Sequence, residues 1–165
     1  MVYLLHDVLS EDLRKEFMIH DYGNAAPNGA GDFWYNQKYD ELMFPYLKEL
    51  LEVCSSYINL SSMVGYEMHH NYSDYSTYHV DKDELLYTET GELRYPIISM
   101  VYYPLIQEME GGIFYTGESF ITPTTNSLII FSSDLYHGVK PVTNGTRLSV
   151  GINPWNEIPR GYTND

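Results

Sequence analysis

Apolar positions recur along this chain first at helical spacing and then at strand spacing, and the change falls near residue 59. Leu47, Leu50, Leu51, Cys54, Tyr57 and Ile58 lie three or four residues apart, the step that lines up one face of an α-helix. Pro45 suits the first turn of that helix, which is expected to lay one apolar stripe on the outer face of a sheet. Upstream, residues 2–9 read as a short apolar strand. Ser10 then offers an N-cap, with Glu11 and Asp12 in the first turn of a short helix ending near Asp21. From Tyr22 to Asp32 the chain turns to Gly, Asn, Ala and Pro, which gives it no apolar face to bury, and a mobile loop is expected. Phe33-Trp34-Tyr35 follows, either as the buried anchor of a surface loop or as the aromatic hinge of a lid over a site.

Beyond Asn59 the pattern is that of strands. Candidates are residues 63–69, 73–80, 96–104, 112–115, 119–121, 127–131, 138–142 and 147–152. Turn signals separate them at Thr90-Gly91, Thr116-Gly117, Pro123 to Asn126 and Asn144-Gly145. Short strands at near-regular spacing, divided by Gly, Pro, Asn and Asp, indicate an antiparallel sandwich or barrel rather than a βαβ fold. The expected fold is mainly β: a jelly roll (double-stranded β-helix) of about eight antiparallel strands, with the N-terminal helices packed on the outside. Residues 1–165 are read as a single domain, with helical support over about 1–59 and the jelly-roll core over about 60–155.

Charge and cysteine count narrow the setting. Asp and Glu number 23 against 9 Lys and Arg, a net charge of −14. Such a field repels phosphate backbones, so nucleic acid is not the expected partner. The single cysteine, Cys54, cannot form an internal bridge and is read as a small buried hydrophobe. The amino terminus has neither a basic start nor a long apolar run, so no secretory signal or membrane span is expected and the chain is placed in the cytoplasm. The 17 tyrosines suit a β-rich fold with half-buried rings.

The candidate chemistry centres on Tyr78-His79-Val80-Asp81 and a distant His137. In a strand, residues two apart leave the backbone on the same side, so His79 and Asp81 can grip one ion together. Two imidazoles and a carboxylate with the opposite face open form the facial triad that holds non-haem Fe(II) in oxygenases. Arg147 lies ten residues past His137, and Ser149 follows two later. A fixed cation there suits the far carboxylate of a dicarboxylate cosubstrate. Together with Met100-Val101-Tyr102-Tyr103, Glu110-Gly111-Gly112 and His137-Gly138-Val139, these residues make the chain over roughly 60–155 resemble the 2-oxoglutarate and Fe(II)-dependent dioxygenases, in their prolyl-hydroxylase-like branch.

That resemblance implies Fe(II) held by His79, Asp81 and His137, with 2-oxoglutarate and O2 as cosubstrates and ascorbate as a stimulant. Arg147 would pair bidentately with the distal carboxylate of 2-oxoglutarate, with Ser149 as a further donor. Tyr103 takes the place of a tyrosine that touches the same carboxylate in that branch, and Tyr102 should pack on the other face. The carboxylate of Asp81 favours hydroxylation over halogenation. The implied reaction is hydroxylation of a peptidyl residue such as proline, with release of succinate and CO2. A free amino acid or small metabolite is the other substrate class, and a peptide or small molecule is thus the expected partner. The readings from other classes are a cupin-like metal-binding jelly roll without oxygenase activity and a purely structural sandwich in which the three ligands do not converge.

Two local expectations bear on the site. Were Asn144-Gly145 a plain two-residue hairpin, Arg147 would point away from the face that carries His137. The functional reading therefore requires the last two strands to lie in opposite sheets. Lys82-Asp83-Glu84 reads as a solvated turn, and His6, His20, His69 and His70 read as structural or surface residues, with His69 or His70 able to line a pocket from the preceding strand.

Overall fold

The computed structural model describes residues 1–19 and 31–163. The expected loop over 22–32 and the end of the first helix near Asp21 lie almost entirely outside these residues, as does His20. In chain order the described elements begin with β1 (Val2–Leu5), α1 (Glu11–Ile19), β2 (Gly31–Tyr35) and α2 (Pro45–Ser55). They continue with β3 (Gly65–Tyr72), β4 (Ser76–His79), α3 (Glu84–Thr90), β5 (Ser99–Gly111), β6 (Phe114–Thr116) and β7 (Phe120–Ile121). The last are β8 (Ser127–Phe131), β9 (His137–Val139) and β10 (Val142–Trp155). Every strand pairing is antiparallel. A six-stranded sheet has the order β1-β8-β5-β10-β3-β2, and a four-stranded sheet the order β4-β9-β6-β7. The two form the double-stranded β-helix, with six and four strands where about eight in all were expected.

Alternation along the strands of the larger sheet divides the apolar residues between two cores. Met68, Met100, Tyr102, Ile130, Val150 and Ile152 point to one side, where Leu47, Leu50, Leu51 and Cys54 of α2 and Phe17 of α1 cover them. Tyr103, Ile129 and Phe131 point to the other side, where Phe114 and Val139 of the smaller sheet meet them. The stripe of α2 buries as its spacing requires, with Cys54 in its last turn, where burial pushes the thiol up to about 12. Tyr57 and Ile58 lie beyond the helix end. Tyr102 packs on Phe17 and donates from its hydroxyl to Asn126 Oδ1 at 2.7 Å, the packing role expected of it.

Three elements depart from the sequence reading. Phe33-Trp34-Tyr35 belongs to a strand, β2, at the edge of the larger sheet, where no strand was expected. Asn144-Gly145 is not a turn: β10 runs through it with irregular register against β5. Gly145 has φ +74, and a Cβ there would run into the carbonyl oxygens of Gln107 and Glu108. A glycine that reads as a hairpin in sequence thus serves a bulge inside a long strand. The crossing that the site requires is present, since β9 pairs in the smaller sheet and β10 in the larger.

The third departure is at Lys82-Asp83-Glu84, which opens α3 rather than forming a solvated turn. Asp83 is 2% exposed and caps the helix by accepting from Leu86 N at 3.1 Å. Its other oxygen accepts from Arg94 Nη2 at 2.5 Å and from Arg160 N at 2.8 Å, so one carboxylate ties α3 to Arg94 and to the Arg160 segment, which lines the cavity described below. Gly91, left-handed at φ 76, ends the helix. Asp83→Ala removes a cap and the buried one of the two carboxylates that hold Arg94, and is expected to cost about 3 kcal/mol in denaturant unfolding. Asp83→Asn keeps the cap and should cost clearly less. Equal losses in the two would mean that the ion pair, not the cap, carries the effect.

No helix among the described residues is long and apolar enough to cross a membrane.

Candidate active site

β4 and β9 are neighbours in the smaller sheet, and their register sets His79 directly opposite His137, with ring centroids 4.5 Å apart. Asp81 follows two residues after His79. Its Oδ1 lies 3.5 Å from His79 Nε2 and 3.7 Å from His137 Nε2. One ligand atom from each of the three residues falls within 4.8 Å of the others. The purely structural alternative, in which they stay apart, is therefore excluded.

The tautomers follow from hydrogen bonding. His79 Nδ1 lies 2.6 Å from Thr77 O, and His137 Nδ1 lies 2.9 Å from Leu135 O. A carbonyl only accepts, so each Nδ1 donates and each Nε2 turns a lone pair toward Asp81. Three acceptors aimed at one point repel one another unless a proton or a cation sits between them. Phe114 and Phe131 pack against the His137 ring. Burial there holds the imidazole below its ordinary range, so it is neutral as a metal ligand must be. When a proton fills that place, His79 Nε2 donates it to Asp81, and the bond raises His79. Burial alone would raise Asp81, but that bond from His79, the nearby imidazole of His137 and the hydroxyl of Ser99 outweigh it and hold the carboxyl at about 2.

Arg147 comes from the larger sheet and is 1% exposed. Its Nη1 donates to Gly112 O at 3.3 Å, and its Nη2 to Asn71 Oδ1 at 2.9 Å and to the carbonyl of Asp74. Nε is buried with no hydrogen-bond partner, and so is the hydroxyl of Tyr103. Burial lowers the guanidinium, which stays charged, and raises the Tyr103 phenol. Ser149 Oγ donates to Asn71 O at a long 3.4 Å. Two unsatisfied donors at one buried place cost about 1–3 kcal/mol each unless an acceptor joins them.

All six residues expected from the sequence, His79, Asp81, His137, Arg147, Ser149 and Tyr103, line a single cavity of about 490 Å³. The donor set fits the cofactors: two neutral imidazoles and an ionised carboxylate for a divalent metal, with two donors lacking partners for a carboxylate further in. The sequence reading missed Asn71, which steadies Arg147, and Ser99, which steadies Asp81. A signal for the first was present, because Glu67, His69 and Asn71 alternate with Tyr66 and Met68 on β3, polar toward the cavity and apolar toward α2. His69 and His70 line the cavity too, whereas His6 is exposed and meets Thr124, 3.2 Å away.

Comparison with known proteins agrees with this geometry. The family model described as the 2OG-Fe(II) oxygenase superfamily matches residues 64–155. Among solved structures, a Pseudomonas putida prolyl-4-hydroxylase superimposes with a TM-score of 0.65 at 17% identity, covering 95% of this chain and 93% of that one. The viral collagen prolyl hydroxylase of Paramecium Bursaria Chlorella virus-1, in its 2OG complex, gives a TM-score of 0.64 at 13% identity over 93% and 95% of the two chains. A Trichoplax adhaerens prolyl hydroxylase, in complex with a hypoxia inducible factor oxygen degradation domain peptide fragment, gives 0.56 at 15% identity over 99% and 87%. At these identities the likeness is one of fold. No curated protein matches in sequence.

Proposed function

The chain belongs to the 2OG-Fe(II) oxygenase superfamily and is a 2-oxoglutarate-dependent dioxygenase, and on that premise we propose that it hydroxylates a peptidyl residue such as proline at the cavity between its sheets. In this reading His79, Asp81 and His137 hold Fe(II), and Arg147, Tyr103 and Ser149 hold the distal carboxylate of 2-oxoglutarate. The bound iron, with 2-oxoglutarate and O2, supplies the oxidising chemistry: one oxygen atom leaves in succinate beside CO2, and the other enters a substrate C–H bond as hydroxyl.

The remaining work falls to the chain. Thr77 and Leu135 hold the imidazoles with Nε2 toward the metal, Asp81 offers a negative charge at any physiological pH, and Phe114 and Phe131 keep water from the His137 side. Arg147 offers Nε beside donors already engaged by Asn71, Asp74 and Gly112, so its plane is set before a carboxylate arrives. The Tyr103 hydroxyl completes its own hydrogen bonding by donating to the same carboxylate.

The observation that carries this reading is the pair of buried donors without partners, Arg147 Nε and Tyr103 OH, in the cavity that also holds the three ligand atoms. A cupin-like metal protein without a cosubstrate leaves those donors unexplained. The peptide substrate is supported by the fold shared with prolyl hydroxylases. Its test is succinate formation by the Fe(II)-loaded protein with a library of proline-containing peptides and, in parallel, with free amino acids. Peptides that gain one oxygen atom by mass spectrometry in step with succinate are the expected result. Hydroxylation confined to free amino acids would overturn the peptide assignment.

A further inference from the structure

The cavity walls contributed by β3 and β10 are built as three rungs in register, Ser149 opposite Asn71, Gly151 opposite His69, and Asn153 opposite Glu67. Residues paired across antiparallel strands share a face, and successive rungs on that face lie about 6.6 Å apart. The first rung belongs to the cosubstrate end, because Asn71 Oδ1 accepts from Arg147. The second brings His69 into the same cavity as the metal ligands. Gly151 leaves this rung without a second side chain, and a Cβ there would come within 3.3 Å of His69 Cβ. The third rung is one step further from Arg147, where no residue of the metal and cosubstrate assignment stands.

That third rung carries an acid. The Glu67 side chain is 13% exposed, and its Oε2 accepts from the Tyr162 hydroxyl at 3.2 Å and lies 3.6 Å from His69 Nε2. Asn153, 5% exposed, turns its Nδ2 to His69 Nε2 at 3.4 Å. Tyr162 is itself stacked on Trp34, with centroids 5.5 Å apart and planes 16° from parallel, so the phenol that meets Glu67 is positioned by the edge strand β2. His69 is the basic group beside this acid, whereas Arg147 is at the opposite end of the cavity and Lys82 is tied to Glu84 at 2.9 Å. A half-buried carboxylate in a chain of net charge −14 sets a negative potential over this end of the cavity.

We infer that Glu67, with Asn153 and Tyr162 beside it, is the subsite that selects the substrate by a cationic group, an ammonium or a guanidinium, held about one rung from the carbon that is hydroxylated. The inference rests on the cosubstrate and metal assignment above. It narrows the substrate to one of two sources of the same chemistry: a peptide with Lys or Arg near its hydroxylated residue, or a free amino acid that presents its α-ammonium.

The test is calorimetric binding to the Mn(II)- and 2-oxoglutarate-loaded protein in the absence of oxygen, with probes matched in shape. Capped proline-containing peptides carrying Lys are compared with norleucine, and those carrying Arg with citrulline. Free L-amino acids are compared with their N-acetyl forms. In at least one pair the cationic member should bind about tenfold or more tightly, as a charge-assisted hydrogen bond at a half-buried site provides. Glu67→Gln should erase that preference and Glu67→Lys reverse it, while both variants bind 2-oxoglutarate as the wild type does. The peptide and amino-acid pairs tell the two sources apart. No preference in any pair, a preference that survives Glu67→Gln, or a failure of every probe to bind while 2-oxoglutarate binds would each overturn the subsite. Failure of the wild type to bind 2-oxoglutarate would instead remove the cosubstrate assignment, and the subsite with it.

Discussion

Arg147→Ala is expected to weaken 2-oxoglutarate binding by about 2–5 kcal/mol, from roughly thirtyfold to several thousandfold, the range seen when one partner of a buried hydrogen-bonded charge pair is truncated. The guanidinium is buried, and three protein acceptors already define its plane. Its loss therefore removes both a charge and an orientation. Arg147→Lys keeps the charge but not the fork, so it should fall between wild type and alanine. The measurement is calorimetric titration of 2-oxoglutarate into the Mn(II)-loaded proteins without oxygen. Because Asn71, Asp74 and Gly112 would each lose a donor, the variants must also be compared in denaturant. A variant that stays folded and binds 2-oxoglutarate within about threefold of wild type would refute the clamp, since even one lost charge-assisted hydrogen bond exceeds that.

Asp81→Ala should act on the metal alone. Removing an outer partner of a metal-bound histidine costs about 10–100-fold in affinity, and loss of a direct ligand must exceed that. Without metal the variant loses the carboxylate that His79 and Ser99 hold ionised, and it is expected to be no more stable than wild type. The two proteins should part when metal is added. Wild type gains about 2.7 kcal/mol of stability when free metal stands at 100 times its dissociation constant, and Asp81→Ala gains essentially none. Thermal unfolding with and without Mn(II) reads this directly and needs no substrate. If Asp81→Ala responded to metal as wild type does, the His79, Asp81 and His137 assignment would be wrong.

Much of this was legible in the chain because it is written in local periods. The stripe Leu47, Leu50, Leu51 and Cys54 specifies a helix that must bury one face, and it does. Each of the eight strand segments expected after Asn59 has a counterpart, with ends shifted by up to seven residues. His79 and Asp81 two apart, and Arg147 and Ser149 two apart, named the chemistry before any fold was known. What local pattern missed was of two kinds. β2 is too short and too close to a Gly-rich segment for its alternation to register, and it exists because β3 offers an edge to pair with. Asn144-Gly145 carries the strongest hairpin signal in the chain, yet β5 lies alongside through the whole region and draws both halves into one bulged strand.

The sequence by itself determined the period of each segment, the sign of the overall field and the candidates for the metal and cosubstrate donors. These depend on residues within one turn or one strand of each other, or on simple sums. Only the tertiary structure decided that His137 stands opposite His79, that Asp83 is a buried cap joining α3 to Arg94 and Arg160, and that Arg147 Nε and Tyr103 OH share a cavity without partners. It also decided that Glu67 stands two rungs beyond the Asn71 that steadies Arg147. Register between strands far apart in the chain is set by how two apolar cores close on both faces of one sheet, and burial of a polar group depends on what arrives from elsewhere. Neither is written in the neighbours of the residue concerned.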